Sequence, residues 1–295
     1  MRSITLLSPA KVNLIFEILN KRENGYHEIR TLIQPVNIFD EVTITIERGS
    51  GVNIITEGLN PGDPKKNIAF NAASLFTEKT GSGMAINISI NKKIPIGAGL
   101  GGGSSNAAAV LIGLNRLTGK LSHEEILELC PKLGADVAVF IKCVTSLAEG
   151  VGEIVTPVKN FPLFHYIIIY PGIEISTKAV FEKWDDINRY AVKQSSINEN
   201  TYKLFTGFQD TEQKLPLHND LEKATFGLYP KVKYYRDFLV SCGANSVLMT
   251  GSGSAVYAAF KDEGSALEIY DYLKSAEEFD TYLAHGIHGW HRLVG

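Results

Sequence analysis

Five glycines fall within the seven positions 97-GAGLGGG-103, against 27 in all 295 residues. Without a Cβ the backbone takes positive φ, and several N–H groups can converge on one anion. Two serines and the apolar run 106-NAAAVLIGLNRLTG-119 follow at once, so the loop feeds a helix start. Such a start offers unpaired N–H donors and the positive end of a dipole. Pro95, Ile96, Gly97, Ala98, Gly99, Leu100, Gly101, Gly102, Gly103, Ser104 and Ser105 therefore form a candidate phosphate cradle. It is not a Walker A loop, because no Gly-Lys-Ser/Thr follows. Gly97, Gly99 and Gly102 match GxGxxG, but Lys92, Lys93 and Pro95 separate them from the preceding strand, and no strand ending in an acid lies ~20 residues on. A flexible connector has no need to abut a buried helix so closely. A second run, 250-TGSGS-254, reads as an anion loop or a β-turn between strands. Two anion loops in one chain suit a nucleoside triphosphate or a phosphorylated substrate.

Phosphoryl transfer asks for charge neutralisation, alignment and a place for the acceptor's proton. Asp136, in 134-GADV-137, stands beside the apolar run 137–141, where a carboxylate needs a partner or a task. Lys11 comes early in a strand otherwise bound for the core. An Asp–Lys pair would keep the carboxylate ionised and placed to accept a hydroxyl proton; taken alone, each residue reads as a structural ion pair or a solvated charge. The turn 24-NGYH-27 could offer Tyr26 for stacking and His27 for hydrogen bonding to a base. Taken singly, Tyr26 reads as a turn residue and Phe181 as core. His285, His288 and His291 lack a cysteine or carboxylate complement, so no metal site is expected there.

The elements that must position these groups follow from periodicity. Segment 11–19 alternates, with Val12, Leu14, Phe16 and Ile18 on one side and Lys11, Asn13, Ile15 and Glu17 on the other. Lys11 and Asn13 therefore share a face. Strands are also expected at 41–47, 84–91, 145–148, 153–158, 165–170, 246–249, 255–260 and 281–285. Helices are expected at 67–79, from the glycine loop to Gly119, from the capping box at Ser122–Glu125, at 229–241 and at 264–274. The polar stretch 185–215 reads as loop with short helix. Strands and helices mix in both halves, which predicts an α+β or α/β fold with a boundary near 157–163.

Composition narrows the function. The net charge of −3 gives no global basic field, so nucleic acid is not an expected partner. No apolar run reaches the ~18 residues of a membrane helix. Three scattered cysteines, Cys130, Cys143 and Cys242, suggest neither a zinc site nor a disulfide framework. They read as buried thiols in a reducing compartment. With no signal-like start, a cytoplasmic location is the default.

These motifs resemble the GHMP kinases (galactokinase, homoserine kinase, mevalonate kinase and phosphomevalonate kinase). Three blocks carry the resemblance: 8-SPAKVNLIFEILNKRENGYHEIRTLIQ-34, 95-PIGAGLGGGSSNAA-108 and 249-MTGSGSAVYAAF-260. The stretches 134-GADVAVF-140, 147-LAEGVGE-153, 171-PGIEIST-177 and 219-NDLE-222 support it. The resemblance implies a mixed α+β fold of two domains, 1–158 with the ATP loop and 159–295, and an active site in the cleft between them.

PAKVNL and NGYHE are similar to the branch that phosphorylates the 2-hydroxyl of 4-diphosphocytidyl-2-C-methyl-D-erythritol with ATP, in the non-mevalonate isoprenoid pathway. By position, Asp136 would then be the catalytic base and Lys11 its partner. Pro95 to Ser105 would wrap the ATP phosphates, with Asn67 and Asn106 on the nucleotide side. Asn13 would touch the erythritol end, and Thr250 and Gly251 would belong to the substrate site. Tyr26 and Phe181 would sandwich cytosine, with His27 and Lys92 nearby. Mg²⁺ would arrive on the phosphates, without dedicated protein ligands, and the enzyme would be a monomer or weak homodimer. Ala138, where a proline is usual, and Asn71, where an arginine is frequent, depart from the pattern. A GHMP kinase acting on homoserine or a mevalonate derivative, or a nucleotide-binding regulator without catalysis, are the competing readings. The NGYHE turn and Phe181 speak against the first, and the retention of Asp136 and Lys11 against the second.

Overall fold

The computed structural model describes residues 1–59, 67–188, 201, 205, 214–275 and 280–293. Two long strands, β1 (Arg2–Lys21) and β2 (His27–Arg48), form an antiparallel ribbon. The turn between them closes through the Gly25 N–H on the Arg22 carbonyl, 3.0 Å. Residues 8–18 are buried on both faces, because helices of the first half and the sheet of the second half pack on either side of β1. Alternation still holds within that run: Lys11 and Asn13 project together. A register shift follows between Asn13 and Ile15, a bulge of the kind that re-aims side chains beside sites.

The ribbon is the centre of a mixed sheet. β3 (Gly51–Gly58) runs parallel to β4 (Met84–Lys92), linked by the crossover helix α1 (Ile68–Thr80), and β4 pairs antiparallel with β2. The helices α2 (Gly102–Thr118), α3 (His123–Leu129) and α4 (Val137–Lys142) follow. Next come β5 (Ser146–Gly150) on the first half of β2 and β6 (Ile154–Pro157) beside it. Helices α1 and α2 bury Ala72, Phe76, Ala108 and Leu111 against Ile44, Ile86 and Ile88 of the sheet. The small residues of α2 allow that close approach.

The second half builds a separate four-stranded antiparallel sheet in the order β11-β7-β10-β9. Its strands are β7 (His165–Tyr170), β9 (Val247–Met249), β10 (Val256–Phe260) and β11 (Asp280–His285). Its helices are α5 (Thr177–Asn188), α6 (Glu222–Leu228), α7 (Pro230–Ser241) and α8 (Glu263–Ser275). Two short strands, β8 (His218–Asn219) and β12 (His291–Leu293), return to pair with β1. Tyr166, Ile168 and Tyr257 of the second sheet pack on Val12 and Leu14 of β1, which joins the halves.

The mixed α+β class expected from the pattern is the fold observed. The expected strands and helices recur with ends moved by a few residues, apart from β1, which extends well beyond 11–19. β3, α4, α5, α6, β8, β12 and the first half of β2 lie outside those expectations. Most of the expected 185–215 loop lies outside the described residues. Burial pushes the Cys130 and Cys143 thiols up to about 12, which leaves no reactive thiolate there. Cys242 is only half-buried, contrary to expectation. Among the described residues no helix is long and apolar enough to cross a membrane.

Candidate active site

A cleft of about 1030 Å³ runs along the inner face of β1 between the two halves. That is at the upper end of the ~300–1,000 Å³ usual for one small molecule, so it has room for two ligands. One wall is the glycine loop. Gly97, Gly99 and Gly101 all have positive φ. At Gly99 a Cβ would stand 2.2 Å from the Thr250 carbonyl oxygen, and at Gly101 it would meet the Phe140 ring at 2.9 Å. Only glycine lets the loop press this tightly on the second glycine turn and on α4. Gly101 is the N-cap of α2, and the first bond inside the helix is Ser105 N–H to the Gly101 carbonyl, 3.0 Å. The N–H groups of Gly102, Gly103 and Ser104 precede it and have no intrahelical acceptor. The cradle therefore consists of backbone donors at a 17-residue helix start.

Two buried lysines flank this helix start. Lys11, 3% exposed, donates to Asn13 Oδ1 at 2.6 Å and pairs with Asp136 Oδ2 at 3.6 Å. Burial lowers its pKa, and the Asp136 carboxylate pulls the other way. Asn13 is fixed in turn: its Nδ2 donates to Thr31 Oγ1 (2.8 Å), whose hydroxyl donates to the Ile15 carbonyl. Asn13 Oδ1 is thereby aimed at the lysine. Asp136 directly precedes α4 with its side chain about a third exposed to the cleft. Lys92 pairs with Asp40 and reaches within 2.6 Å of where a Gly102 Cβ would stand. Burial lowers its pKa too, against the attraction of Asp40. Asp40, wholly buried, also accepts from Lys93 N (2.7 Å), Ile94 N (2.8 Å) and Asn106 Nδ2 (2.9 Å). This one carboxylate ties the end of β4 to the start of α2.

The far end of the cleft is aromatic. His27 stacks on Phe181 with ring centres 4.7 Å apart and meets the edge of Trp184. Its Nε2 lies 2.7 Å from Asp185 Oδ1, and Lys21 Nζ lies 2.5 Å from Asp185 Oδ2. Burial alone would raise the Asp185 carboxyl, but the hydrogen bonds from Lys21 and His27 outweigh it and hold it below its ordinary value. Tyr26 is 65% exposed at the rim.

Most sequence-predicted residues line this one cleft: Lys11, Asn13, Tyr26, His27, Asn67, Lys92, Pro95 to Ser104, Asn106, Asp136, Phe181 and Gly251. Three expectations need correction. Ser105 is buried and turned inward onto Ser8 Oγ at 2.7 Å, with its N–H already bonded, so it offers a phosphate nothing. Thr250 is also wholly buried; its hydroxyl braces the Asn13 N–H at 3.1 Å, so it supports the site from behind. Lys92 sits under the helix start with Asp40 and not among the aromatic rings. Phe181 packs one face on the His27 ring and, like Tyr26, lines the cleft. Asn67 caps α1 through Oδ1, on the Ala69 N–H at 3.0 Å. Asn71 is exposed and does not line the cleft.

Asp40, Asp185 and Lys21 escaped the sequence reading. Asp185 lies four residues after Phe181, a helical spacing that becomes a signal only once 177–188 is seen as a helix. The 219-NDLE-222 stretch also gains a role. Asn219 Nδ2 donates to the Met249 and Gly251 carbonyls, both at 2.8 Å, and Glu222 accepts from Met249 N at 2.9 Å. Together they hold the second glycine turn against Lys11 and Asn13.

Comparison with known proteins agrees with this geometry. The model of the GHMP kinases N terminal domain matches residues 67–143, and that of the GHMP kinases C terminal matches residues 204–278. A 4-diphosphocytidyl-2-C-methyl-D-erythritol kinase of Geobacter sp. (strain M21) is 39% identical over 267 residues, covering 90% of this chain and 92% of the relative. The kinase of the same name from Caldicellulosiruptor saccharolyticus is 38% identical over 269 residues, covering 90% and 91%. A crystal structure of 4-(cytidine 5'-diphospho)-2C-methyl-D-erythritol kinase superposes with a TM-score of 0.80 at 31% identity, covering 96% of this chain and all of the other. Homoserine kinase from Cytophaga hutchinsonii shares the fold, with a TM-score of 0.69 at 20% identity over 99% and 98% of the two chains. The chain belongs to the GHMP kinases, and within them to the family of 4-diphosphocytidyl-2-C-methyl-D-erythritol kinases.

Proposed function

We propose that this chain transfers the γ-phosphoryl group of ATP to the 2-hydroxyl of 4-diphosphocytidyl-2-C-methyl-D-erythritol, giving the 2-phosphate and ADP. The observation that carries the reading is the Lys11–Asp136 pair, 3.6 Å apart, in the same cleft as the bare helix start and the His27–Phe181 stack. Donor phosphates, acceptor hydroxyl and a nucleobase then each have a chemically matched place along one groove.

In this reading the N–H groups at 102–104 and the two buried ammonium groups take up the charge that develops as the phosphoryl group moves. Asp136 orients the hydroxyl and receives its proton as the oxygen attacks. Lys11 favours the ionised form of Asp136 and is itself steered by Asn13. Tyr26, His27 and Phe181 hold the pyrimidine, so the diphosphate and erythritol extend toward Asn13 and Gly251. Among the described residues no group of three His, Cys, Asp or Glu side chains converges as a metal cage. Mg²⁺ fits here as an ion carried by the phosphates, with Ser104 and Asp136 as the side-chain oxygens at hand, and it would neutralise triphosphate charge. A cytoplasmic monomer or weak homodimer, with no nucleic-acid or membrane partner, completes the proposal.

The test is ADP release by the purified protein with the cytidine compound, homoserine or mevalonate as acceptor, in wild type and Asp136→Asn. Turnover is expected with the cytidine compound alone. The variant is expected to lose roughly 10²–10⁴ in kcat with KM little changed. Comparable turnover of homoserine, or an unimpaired variant, overturns the assignment.

A further inference from the structure

The ring of His27 is held from three sides by one helix. Phe181, Trp184 and Asp185 stand at i, i+3 and i+4 on α5, a spacing that puts them on one face. Phe181 supplies a stacking face, Trp184 an edge, and Asp185 Oδ1 a polar anchor 2.7 Å from Nε2. The other oxygen of Asp185 receives Lys21 at 2.5 Å, which keeps the carboxylate ionised. An ionised carboxylate only accepts hydrogen bonds, so Nε2 must carry the proton. In the neutral ring Nδ1 is then a bare acceptor, and among the described residues no group is hydrogen-bonded to it.

We propose that Asp185 is a positioning residue that fixes His27 in its Nε2–H tautomer, so that the base end of the cleft favours a pyrimidine presenting an exocyclic amine over one presenting a carbonyl. The inference rests on the cytidine reading above and adds to it the source of discrimination between cytosine and uracil. A lone pair on Nδ1 attracts an N–H of an amine and repels a carbonyl oxygen. A polar group left facing the wrong partner in a buried site discriminates strongly, whereas stacking alone is indifferent to the base. Lys21 belongs to the device: without it, the carboxylate would be less firmly ionised and its other oxygen free to turn.

Three measurements on the whole protein test this. The first is the ¹⁵N shifts of the His27 ring at about pH 8, assigned by difference from His27→Gln. The second is separate kcat and KM values for the cytidine substrate. The third is the binding of CDP and UDP by calorimetry. Wild type is expected to show Nε2–H and to bind CDP at least about 30-fold more tightly than UDP. Asp185→Asn and Asp185→Ala are expected to mix the tautomers, raise KM roughly 10- to 100-fold with kcat within about threefold, and cut the CDP:UDP ratio at least about tenfold. A wild-type Nδ1–H tautomer, or variants that melt lower but keep the CDP:UDP ratio, overturns the proposal and reduces the pairing to a structural one. Failure of wild type to bind CDP or to use the cytidine substrate sinks the underlying reading as well. Tight CDP binding with an unchanged ratio in the variants sinks only the role given to Asp185.

Discussion

Gly99→Ala is the sharpest perturbation the cleft allows. At Gly99 φ is +75°, and an added Cβ would stand 2.2 Å from the Thr250 carbonyl oxygen and 3.1 Å from that of Gly253. Both neighbours are backbone, so nothing flexible can swing aside. Restoring ordinary contact requires the glycine loop and the 250–254 turn to part by roughly 1 Å, and the left-handed conformation costs a residue with a Cβ ~1–2 kcal/mol. The parting also strains two ties between the loops, Ala255 N–H to the Ala98 carbonyl (3.1 Å) and Thr250 Oγ1 to the Gly99 carbonyl (3.3 Å). At ~0.5–1.5 kcal/mol each, the total loss is about 2–5 kcal/mol. In a chain of 295 residues that corresponds to a Tm lower by roughly 3–8 °C. Displacing the cradle by ~1 Å should lower kcat/KM by about 10². Gly103→Ala is the control: its Cβ would meet nothing closer than Ile68 Cδ1 at 3.6 Å, and alanine is the better helix former, so its Tm should hold or rise slightly. Thermal melts and steady-state kinetics on both variants decide the matter. Gly99→Ala with Tm within about 2 °C and kcat/KM within about threefold of wild type would refute the claim that the two glycine turns are locked together.

Three further outcomes are expected. Burial lowers the Lys11 ammonium below its ordinary 10.5; between that lowered value and 10.5 the unfolded chain binds more protons than the folded one, so this group makes stability rise with pH across that window. Urea unfolding near pH 7.5 and pH 10 should show wild type gaining on Lys11→Met, and parallel behaviour of the two proteins would contradict the assigned burial. Tyr26→Ala, at a position 65% exposed, should leave Tm unchanged while raising KM for the cytidine substrate roughly 5- to 100-fold, the worth of one stacked base; a pure kcat defect would count against stacking. Asp40→Asn should cost ~3–5 kcal/mol, because it strands the buried Lys92 charge, and denaturant unfolding showing a loss below about 1 kcal/mol would sink that account.

Much of the site could be read from residue types because its chemistry is local. The glycine loop announces itself by density, and Lys11 and Asn13 share a face by simple alternation along β1. What stayed hidden depends on pairs distant in sequence. Asp40 gives no sign that it will meet Lys92 and Asn106, since only the pairing of β2 with β4 and the packing of α2 bring them together. Asp185 became visible only with α5, whose apolar stripe is short and interrupted by charges. Ser105 and Thr250 were misassigned for a related reason. Both belong to motifs that line the cleft, yet helical and turn geometry rotate these particular side chains into the interior, and motif membership carries no information about rotation. β3 was missed because its alternation is weak; it is held in place by parallel pairing with β4.

The two carboxylates that meet buried lysines beside the start of α2 show why one acid reads as structure and the other as chemistry. Asp40 is wholly enclosed and receives Lys92, two backbone N–H groups and the Asn106 amide. Every lone pair has a donor, so the carboxylate has nothing left to offer an incoming group. Asp136 is the opposite case. Its contact with Lys11 is 3.6 Å, longer than the ~2.7–2.9 Å of a fully formed charged hydrogen bond. A third of its side chain faces the cleft, and Lys11 already spends a short hydrogen bond on Asn13. A carboxylate that is attracted but not saturated keeps acceptor capacity for a hydroxyl, which is the property a proton acceptor in phosphoryl transfer must have. The same contrast separates the expected effects of removing each charge: loss of Asp40 should act on stability, and loss of Asp136 on turnover.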